Sequence, residues 1–221
     1  MKAIVSKITF YEAFFKVHYT KGSRLTYPIP LPTTVAGIFG AMLGIDRTEL
    51  QNRFENFYFG AKLLNYDGMI IEHETFIQFK TMKVEKGVVH SQIINHPTYL
   101  IALAGEDKSI TKFYDFLRSG NLIYLPYGGQ NDFFVEDIRI IGLADVINSN
   151  VISNYAPQDM VKALKSKEIM FNILPVMHTY SDNPNFYFVL KGELELKESV
   201  KIIENEGVAV YPLEMFKFVK V

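Results

Sequence analysis

Residues that could bind a phosphate group cluster in the stretch from Arg24 to Gly44. Arg24 and Tyr27 precede three prolines at alternate positions, which hold the backbone extended. The chain then enters an apolar run, and Thr33 or Thr34 is predicted to cap a helix that begins there. Free N–H groups and the helix dipole make a helix N-terminus favourable for anions. One interpretation is therefore a phosphate site formed by Arg24, Tyr27 and the two threonines.

Three glycines in the same predicted helix support a second interpretation. Gly37, Gly40 and Gly44 follow one another at three- and four-residue intervals, and Gly44 is predicted to end the helix. The two interior glycines cost roughly 1 kcal/mol each relative to alanine, and close packing of the helix on a sheet would offset that cost. No Gly-Lys-Ser or Gly-Lys-Thr sequence closes a loop here, which argues against a Walker-type nucleotide site.

A second feature compatible with phosphate is the glycine turn that ends at Phe134. Gly128 and Gly129 would offer backbone N–H groups to a phosphate, while Gln130 and Asn131 could hydrogen-bond a base or a ribose. An ordinary Gly-Gly turn accounts for the same residues. In a ferredoxin-like fold this loop can lie near the start of the first helix, so the two features could form one site.

Basic residues recur around a predicted projecting segment, Thr81–Pro97. Lys80, Lys83 and Lys86 are spaced three residues apart, and His90 follows them. Lysines in such a segment can contact the phosphates of a nucleic acid, and each contact is sensitive to salt. The alternative is a solvated hairpin that binds nothing.

The sequence carries no convincing catalytic or metal-binding pattern. Its five histidines lack His-x-x-x-His and His-Glu-x-x-His spacing, no Gly-x-Ser-x-Gly motif is present, and cysteine is absent. Tyr27, His18 and His90 could cleave RNA by general acid–base chemistry without a metal, although nothing in their spacing requires it. We therefore predict no catalytic residue, no metal and no cofactor.

Composition indicates a folded globular protein without an extreme charge. Of its 221 residues, 48% are hydrophobic and 21% are charged, and the net charge is −1. Free-standing nucleic-acid-binding proteins usually carry a clear basic excess, so RNA binding would need a local patch or neighbouring subunits. The first residues lack the apolar core of a signal peptide, and no apolar run approaches the length of a membrane span. We expect a cytoplasmic protein that does not bind membranes.

The elements that would position these residues follow an α+β order. Without insertions, the pattern reads strand, helix, strand, strand, helix, strand, which is the ferredoxin-like or RRM-like βαββαβ arrangement. The predicted strands are Lys2–Phe10, Phe57–Asn65, Met69–Phe79, Thr98–Ala104, Leu122–Leu125 and Phe134–Leu143. The sequence Asn65-Tyr66-Asp67-Gly68 predicts a hairpin between the second and third of them. One helix is predicted after Pro32, and another between Gly105 and Gly120.

The predicted division into domains falls between residues 145 and 146. Residues 1–145 would form the RRM-like domain with a hairpin insertion at about 80–97, and residues 146–221 a small β-rich C-terminal domain. Asn148-Ser149-Asn150 and Ser153-Asn154 are interpreted as a linker, and Pro157–Lys167 as a short helix. Three strands are predicted after that helix: Ile169–Thr179, Phe186–Leu196 and Val208–Val219.

The stretch Tyr27–Gly44 closely resembles the N-terminal signature of the CRISPR-associated Cas-five family, part of the RAMP superfamily. In that family an arginine-containing loop leads into Pro-x-x-Thr-h-x-Gly and a small-residue helix. The turn Gly128–Phe134 is similar to the family's glycine-rich loop. The likeness covers the first 145 residues in element order, and the C-terminal region carries no matching signature.

The resemblance implies a guide-RNA-binding subunit of a type I, Cascade-like surveillance complex in antiviral defence. Such subunits cap the 5′ handle of the CRISPR RNA and contact the backbone and large subunits, and they meet target DNA only indirectly. Thr81–Pro97 would be the β-hairpin thumb. The residues that the resemblance places at the handle are Arg24, Tyr27, Thr33 and Thr34, with Gly128, Gly129, Gln130 and Asn131 opposite.

One branch of the family, in type I-C systems, cleaves precursor RNA with a tyrosine and an adjacent lysine and histidine. This sequence has no adjacent Lys-His pair. The departure favours a non-catalytic role. The alternative is a metal-independent endoribonuclease that processes precursor CRISPR RNA with Tyr27 and His90, and a third possibility is a module that binds only proteins.

Overall fold

The protein is described by a computed structural model that covers residues 1–20, 22–81 and 83–216. Within these residues the chain is α+β, with strands predominating. The first strands are β1 (Lys2–Phe10), β2 (Glu12–Ala13), β3 (Ser23–Arg24), β4 (Tyr58–Asn65), β5 (Gly68–Lys80), β6 (Lys83–Asn95) and β7 (Thr98–Gly105). They are followed by β8 (Val135–Ile152), β9 (Tyr155–Pro157), β10 (Val161–Leu164), β11 (Met170–Pro175), β12 (Asn185–Lys191), β13 (Leu194–Ile203), β14 (Val208–Ala209) and β15 (Tyr211–Pro212). The helices are α1 (Pro32–Leu43), α2 (Leu50–Arg53) and α3 (Asp107–Arg118), and short 3₁₀ turns span Gln158–Met160 and Leu213–Met215.

The centre of the large sheet has the strand order β8–β1–β7–β4, and each neighbouring pair is antiparallel. Every residue of β7 is buried, because apolar side chains cover both faces of the sheet at that strand. On one face Ile4, Ile8 and Ile101 pack with Phe39 of α1 and Ile110 of α3. The predicted strands β1, β4 and β7 and the predicted helix α3 are confirmed, whereas Leu122–Leu125 forms no strand.

Helix α1 begins at Pro32, one residue before the predicted caps. Leu31 is the N-cap, no side chain caps the helix, and the N–H of Thr34 donates to the carbonyl of Leu31. Proline suits the first helical position because it has no N–H to satisfy. The predicted capping role of Thr33 or Thr34 is therefore wrong. Gly44 ends the helix with a left-handed φ of 71°, as predicted.

The two interior glycines of α1 differ in their surroundings. A Cβ on Gly40 would lie 2.4 Å from Cδ2 of Leu50, whereas a Cβ on Gly37 would meet nothing within 4 Å. The close-packing interpretation therefore holds for Gly40 and not for Gly37. The C-terminal carbonyls of α1 gain partners from a later loop, because the N–H groups of Ile123 and Tyr124 donate to them.

Strands β5 and β6 pair with each other along their whole length, from Gly68 opposite Asn95 to Lys80 opposite Lys83. The predicted pairing of β4 with β5 is wrong, because β4 is held between β7 and β15 in the large sheet. The inserted hairpin is therefore longer than the predicted 80–97. Lys83 is the first residue of β6, beside the turn, and Lys86 lies within the strand. This pair of strands is called the β5–β6 hairpin below.

The C-terminal residues extend the same large sheet. Strand β8 continues to Ile152, and its last residues pair with β13. The predicted linker is wrong at residues 148–150, which lie inside β8, whereas Ser153 and Asn154 connect β8 to β9. The predicted helix Pro157–Lys167 is also wrong, because a 3₁₀ turn and β10 occupy it.

The predicted C-terminal strands are confirmed in part. Strand β11 lies within the first prediction, the second prediction overlaps both β12 and the start of β13, and β14 and β15 are short and separate. The end of the third prediction, residues 217–219, lies outside the described residues. The division into two domains stays a prediction.

Candidate nucleic-acid interface

The β5–β6 hairpin carries many of the predicted contact residues and is held at its base by two short strands. Strand β2 pairs antiparallel with Ile94 and Asn95, and β3 pairs parallel with His90 and Ser91. Beyond these strands most side chains of the hairpin are exposed. The hairpin is thus an exposed arm on a fixed base.

Cross-strand pairing assigns the side chains of the hairpin to two faces of different chemistry, because directly opposed residues point the same way. The acidic face carries Glu72, Glu74 and Glu85, together with Lys80 and Lys83 beside the hairpin turn and the apolar Ile70, Phe76, Val89 and Ile93. The apolar face carries Met69, Ile71, His73, Thr75, Ile77 and Phe79 from β5, and Val84, Lys86, Val88, His90, Gln92 and Ile94 from β6. None of these apolar-face residues is a carboxylate.

The predicted lysine row does not lie on one face, because side chains alternate along a strand. Lys80 and Lys83 lie on the acidic face, where Nζ of Lys80 pairs with Oε2 of Glu85 at 2.5 Å. Lys86 and His90 lie on the apolar face. Because Lys83 and Lys86 are three residues apart in one strand, their side chains point to opposite faces of the hairpin.

The apolar face combines an exposed ring with cationic and titratable groups. The side chain of Phe79 is 80% exposed, and Ile71 is 67% exposed. The rings of His73 and His90 meet edge to face with centroids 4.5 Å apart. Lys86 lies on the same face, opposite Ile77. Exposed aromatic rings beside cations suit single-stranded nucleic acid, because bases stack on the rings and phosphates bind the cations.

Arg24 lies at the hairpin base and is already paired. Its Nη1 atom lies 2.7 Å from Oε2 of Glu74, and both side chains are partly exposed. The guanidinium can therefore reach the acidic face, where a bound phosphate would compete with Glu74.

Tyr27 is a core residue and not a surface contact. It is 2% exposed, its ring stacks on Phe188 with centroids 5.4 Å apart, and its hydroxyl donates to the carbonyl of Pro175 at 2.7 Å. Burial, with a smaller effect of Tyr19, raises the pKa of the Tyr27 hydroxyl far above its ordinary value. This burial argues against the RNA contact predicted for Tyr27 and against the catalytic role that the endoribonuclease alternative would give it.

Thr33 and Thr34 are partly exposed in the first turn of α1. The main packing partners of α1 are β4 and β7 of the large sheet. A handle contact by these threonines stays a prediction.

The glycine turn folds onto the hairpin base, and its N–H groups are already used. The N–H of Gly128 donates to the carbonyl of Phe133 at 2.7 Å, and that of Gly129 donates to Tyr127 at 2.9 Å. The carbonyl of Gly128 accepts from the N–H of Phe14, just after β2. The predicted phosphate contact through the N–H groups of Gly128 and Gly129 is therefore contradicted.

Two polar residues of the same turn keep accessible side chains. Gln130 is partly exposed and Asn131 is exposed. Contacts from their amides to RNA stay a prediction.

The segment before β3 adds Lys16 and Tyr19, which the sequence reasoning did not select, beside His18, which it named only for acid–base cleavage. Lys16, His18 and Tyr19 are exposed, and Tyr19 is 54% exposed. Partial burial, followed by the charge of Lys16, lowers the pKa of His18 below its ordinary value. The signal available in the sequence was the short run of basic and aromatic residues just before Arg24.

Neither a metal site nor a membrane span is found in the described part of the chain. Across residues 1–20, 22–81 and 83–216, no three histidine, aspartate or glutamate side chains are grouped to hold a metal. No helix in those ranges has the length and apolarity needed to cross a membrane.

Two solved structures resemble this one over nearly the whole chain. One is a chain of a CRISPR RNA-guided surveillance complex, with a TM-score of 0.50, 12% identity, and coverage of 99% of this chain and 94% of that one. The other is a CRISPR protein from Archaeoglobus fulgidus, with a TM-score of 0.52, 13% identity, and coverage of 96% and 100%. The chain has a fold found in CRISPR-associated proteins.

The CRISPR-associated fold agrees with the resemblance seen in the sequence motifs. No family model matches the sequence, and no curated protein matches it either. At these low identities the likeness concerns the fold alone.

Proposed function

We propose that this protein is a non-catalytic RNA-binding subunit of a CRISPR effector complex, of the Cas-five type in a type I, Cascade-like assembly. It would cap the 5′ handle of the guide RNA and contact the backbone and large subunits. The observation that carries the proposal is the apolar face of the β5–β6 hairpin, which presents Phe79, Lys86 and two histidines without a carboxylate. The CRISPR-associated fold supports it.

The topology supports the assignment at a finer level. The strand order β8–β1–β7–β4, with α1 between β1 and β4 and α3 between β7 and β8, supports the proposed ferredoxin-like core. The β5–β6 hairpin is inserted between the second and third core strands, at the position proposed for the thumb.

The surroundings of Tyr27 support a binding role over cleavage. Its hydroxyl is buried and donates to a backbone carbonyl, so it is neither accessible to a ribose nor available as a base. The remaining histidine of the proposed pair, His90, is in contact with His73 and not with Tyr27. Of Tyr27 and His90, the two residues named for the endoribonuclease alternative, Tyr27 is therefore unavailable to RNA.

The test compares the two faces of the hairpin. The double variant Phe79→Ala with Lys86→Gln removes the exposed ring and one cation from the apolar face. The control, Lys83→Gln, removes one cation from the acidic face at a comparable distance from the hairpin base. Binding of labelled repeat RNA is measured by fluorescence anisotropy at about 50 mM salt, where phosphate contacts are strong.

Loss of one stacked base costs about 1–3 kcal/mol, so the apolar-face variant should bind at least fivefold more weakly. The control should bind within about twofold of the unaltered protein, because Lys83 lies on the face that carries Glu72, Glu74 and Glu85. Equal effects of both variants would contradict the proposal. Folding should survive in both, because the altered side chains are exposed.

Catalysis is tested separately by incubating the protein with precursor repeat RNA in EDTA. Intact RNA is expected. Site-specific cleavage would overturn the non-catalytic role. If the assembled complex retained RNA equally well with and without the apolar-face substitutions, the hairpin would instead be a protein-binding element.

A further inference from the structure

A row of cationic side chains crosses the large sheet on the face opposite α1 and α3. Arg139 of β8 is directly opposite Lys7 of β1, and Lys7 is opposite Leu100 of β7. Leu100 is in turn opposite Lys62 of β4. Because directly opposed residues share a face, three cations and one leucine form a line across four strands.

This face is covered at one end and open at the other. Ile203, Val208 and Val210 pack over Ala3 and Ala102 at the covered end. The cationic row lies closer to the end of β1, and the side chain of Arg139 is 71% exposed.

The next cross-strand row, one step nearer the hairpin base, is polar. Its members include Thr9 and Thr98, whose hydroxyl oxygens are 3.0 Å apart, and Asp137. Thr9, Thr98 and Leu100 are buried, so the accessible side chains at this end of the face are mainly Lys7, Lys62 and Arg139, with Asp137 beside Arg139.

The charges of the row are only partly neutralised within the protein. Asp137 pairs with Arg139 at 2.7 Å, and Nζ of Lys62 donates to the backbone carbonyl of Glu206 at 3.3 Å. Within the described ranges, no carboxylate lies within ion-pair distance of Lys7 or Lys62. Like charges directly opposite each other destabilise a sheet. Asp137 already offsets the charge of Arg139, so Lys7 and Lys62 are the cations of the row that most favour a bound anion.

The shape of the row favours an extended anion. The cations are spread over four strands, which spans roughly 15 Å at the usual strand separation. Aromatic residues that stack bases on the central strands of RRM sheets are replaced in this row by Lys7 and Leu100. The chemistry therefore favours a chain of phosphates and not a set of stacked bases.

We propose that Lys7, Lys62 and Arg139 bind the phosphodiester backbone of single-stranded RNA at a site distinct from the β5–β6 hairpin. This inference rests on the proposed RNA-binding function and extends it to a second surface. The two surfaces are close in the chain, because β1 ends at Phe10 and β2 then joins the hairpin base. One RNA strand would contact the hairpin and continue across the open end of the sheet.

The test is the triple variant Lys7→Gln, Lys62→Gln, Arg139→Gln. Its matched control replaces three exposed cations on the opposite layer, in α3: Lys108→Gln, Lys112→Gln, Arg118→Gln. Both variants change the net charge equally, so a difference between them reports position. Affinity for labelled single-stranded repeat RNA is measured from about 50 to 200 mM salt, where phosphate contacts dominate the salt dependence.

Each phosphate contact to a single strand contributes about 0.7 to the slope of log affinity against log salt. The row variant should therefore lose about two units of slope and bind at least tenfold more weakly at the lowest salt. The α3 control should keep its slope and bind within about threefold of the unaltered protein. A charge-preserving variant, Lys7→Arg, Lys62→Arg, Arg139→Lys, should retain binding and so show that charge at these positions matters.

The outcomes separate this inference from the proposed function. If the unaltered protein does not bind RNA, the proposed function fails. If it binds and the apolar-face variant weakens binding while the row variant matches the α3 control, only the inference about the row fails. The inference about the row would also be overturned if poly-glutamate displaced the labelled RNA as effectively as unlabelled RNA does, because the row would then be a site for acidic polypeptides.

Discussion

The surroundings of Tyr27 predict the effect of removing a single oxygen atom. The Tyr27 hydroxyl donates to the carbonyl of Pro175 at 2.7 Å and so joins the segment before α1 to β11. Tyr27→Phe keeps the stacking on Phe188 and leaves that carbonyl without this donor. The net contribution of such a hydrogen bond is about 1 kcal/mol, which corresponds to a fall in Tm of about 2–4 °C for a chain of this size.

The assay pairs thermal unfolding with RNA binding on the same preparations. Tyr27→Phe should lower Tm and leave RNA affinity unchanged, since the ring is 2% exposed. Tyr27→Ala should cost about 3–5 kcal/mol, as truncation of a buried aromatic residue does. Tyr19→Phe is the control, because Tyr19 is 54% exposed and its loss of a hydroxyl should leave Tm unchanged. An unchanged Tm with a loss of RNA binding or cleavage in Tyr27→Phe would refute the reasoning.

Three further outcomes follow from local geometry. Gly129→Ala should destabilise the protein by more than about 1 kcal/mol in denaturant unfolding, because φ is +96° and the new Cβ would lie 2.0 Å from the carbonyl oxygen of Phe14. Gly37→Ala should instead stabilise it by up to about 1 kcal/mol, since the position is helical and open; a lower stability would contradict that placement. In an NMR titration, His18 should have a pKa below 6.5 because of burial and then Lys16, and Lys16→Gln should raise it. Since the folded form of His18 binds protons less readily than the unfolded form, its contribution to stability is present above the unfolded pKa and is lost as pH falls below it.

The elements predicted correctly from the sequence are those with local signals. The end of α1 at Gly44 follows from the left-handed conformation that glycine adopts easily. Strand β7 is a continuous apolar run, and α3 shows helical periodicity between glycines. Each signal lies within the element that it specifies, so no distant partner was needed.

The incorrect predictions concern residues whose structure depends on partners far away in the sequence. Strand β5 was recognised as a strand, but its partner is β6, because β4 is enclosed by β7 and β15. The same is true of the candidate interface. Exposure of Lys86 and His90 was expected, but their separation from Lys83 depends on the register of the hairpin.

The burial of Tyr27 could not be predicted from the sequence either. It depends on Phe188 and Pro175, which are far along the chain. A tyrosine beside an arginine and a helix start looks the same in sequence whether it faces RNA or the core.

The length of β8 has a mechanical consequence. The strand pairs with β1 through its first part and with β13 through its last residues, without an intervening loop. A hinge needs a few residues free to change their backbone angles, and the shared strand provides none at residues 145 and 146. The strands that pair with the first part of β8 and those that pair with its last residues should therefore keep a fixed orientation relative to one another.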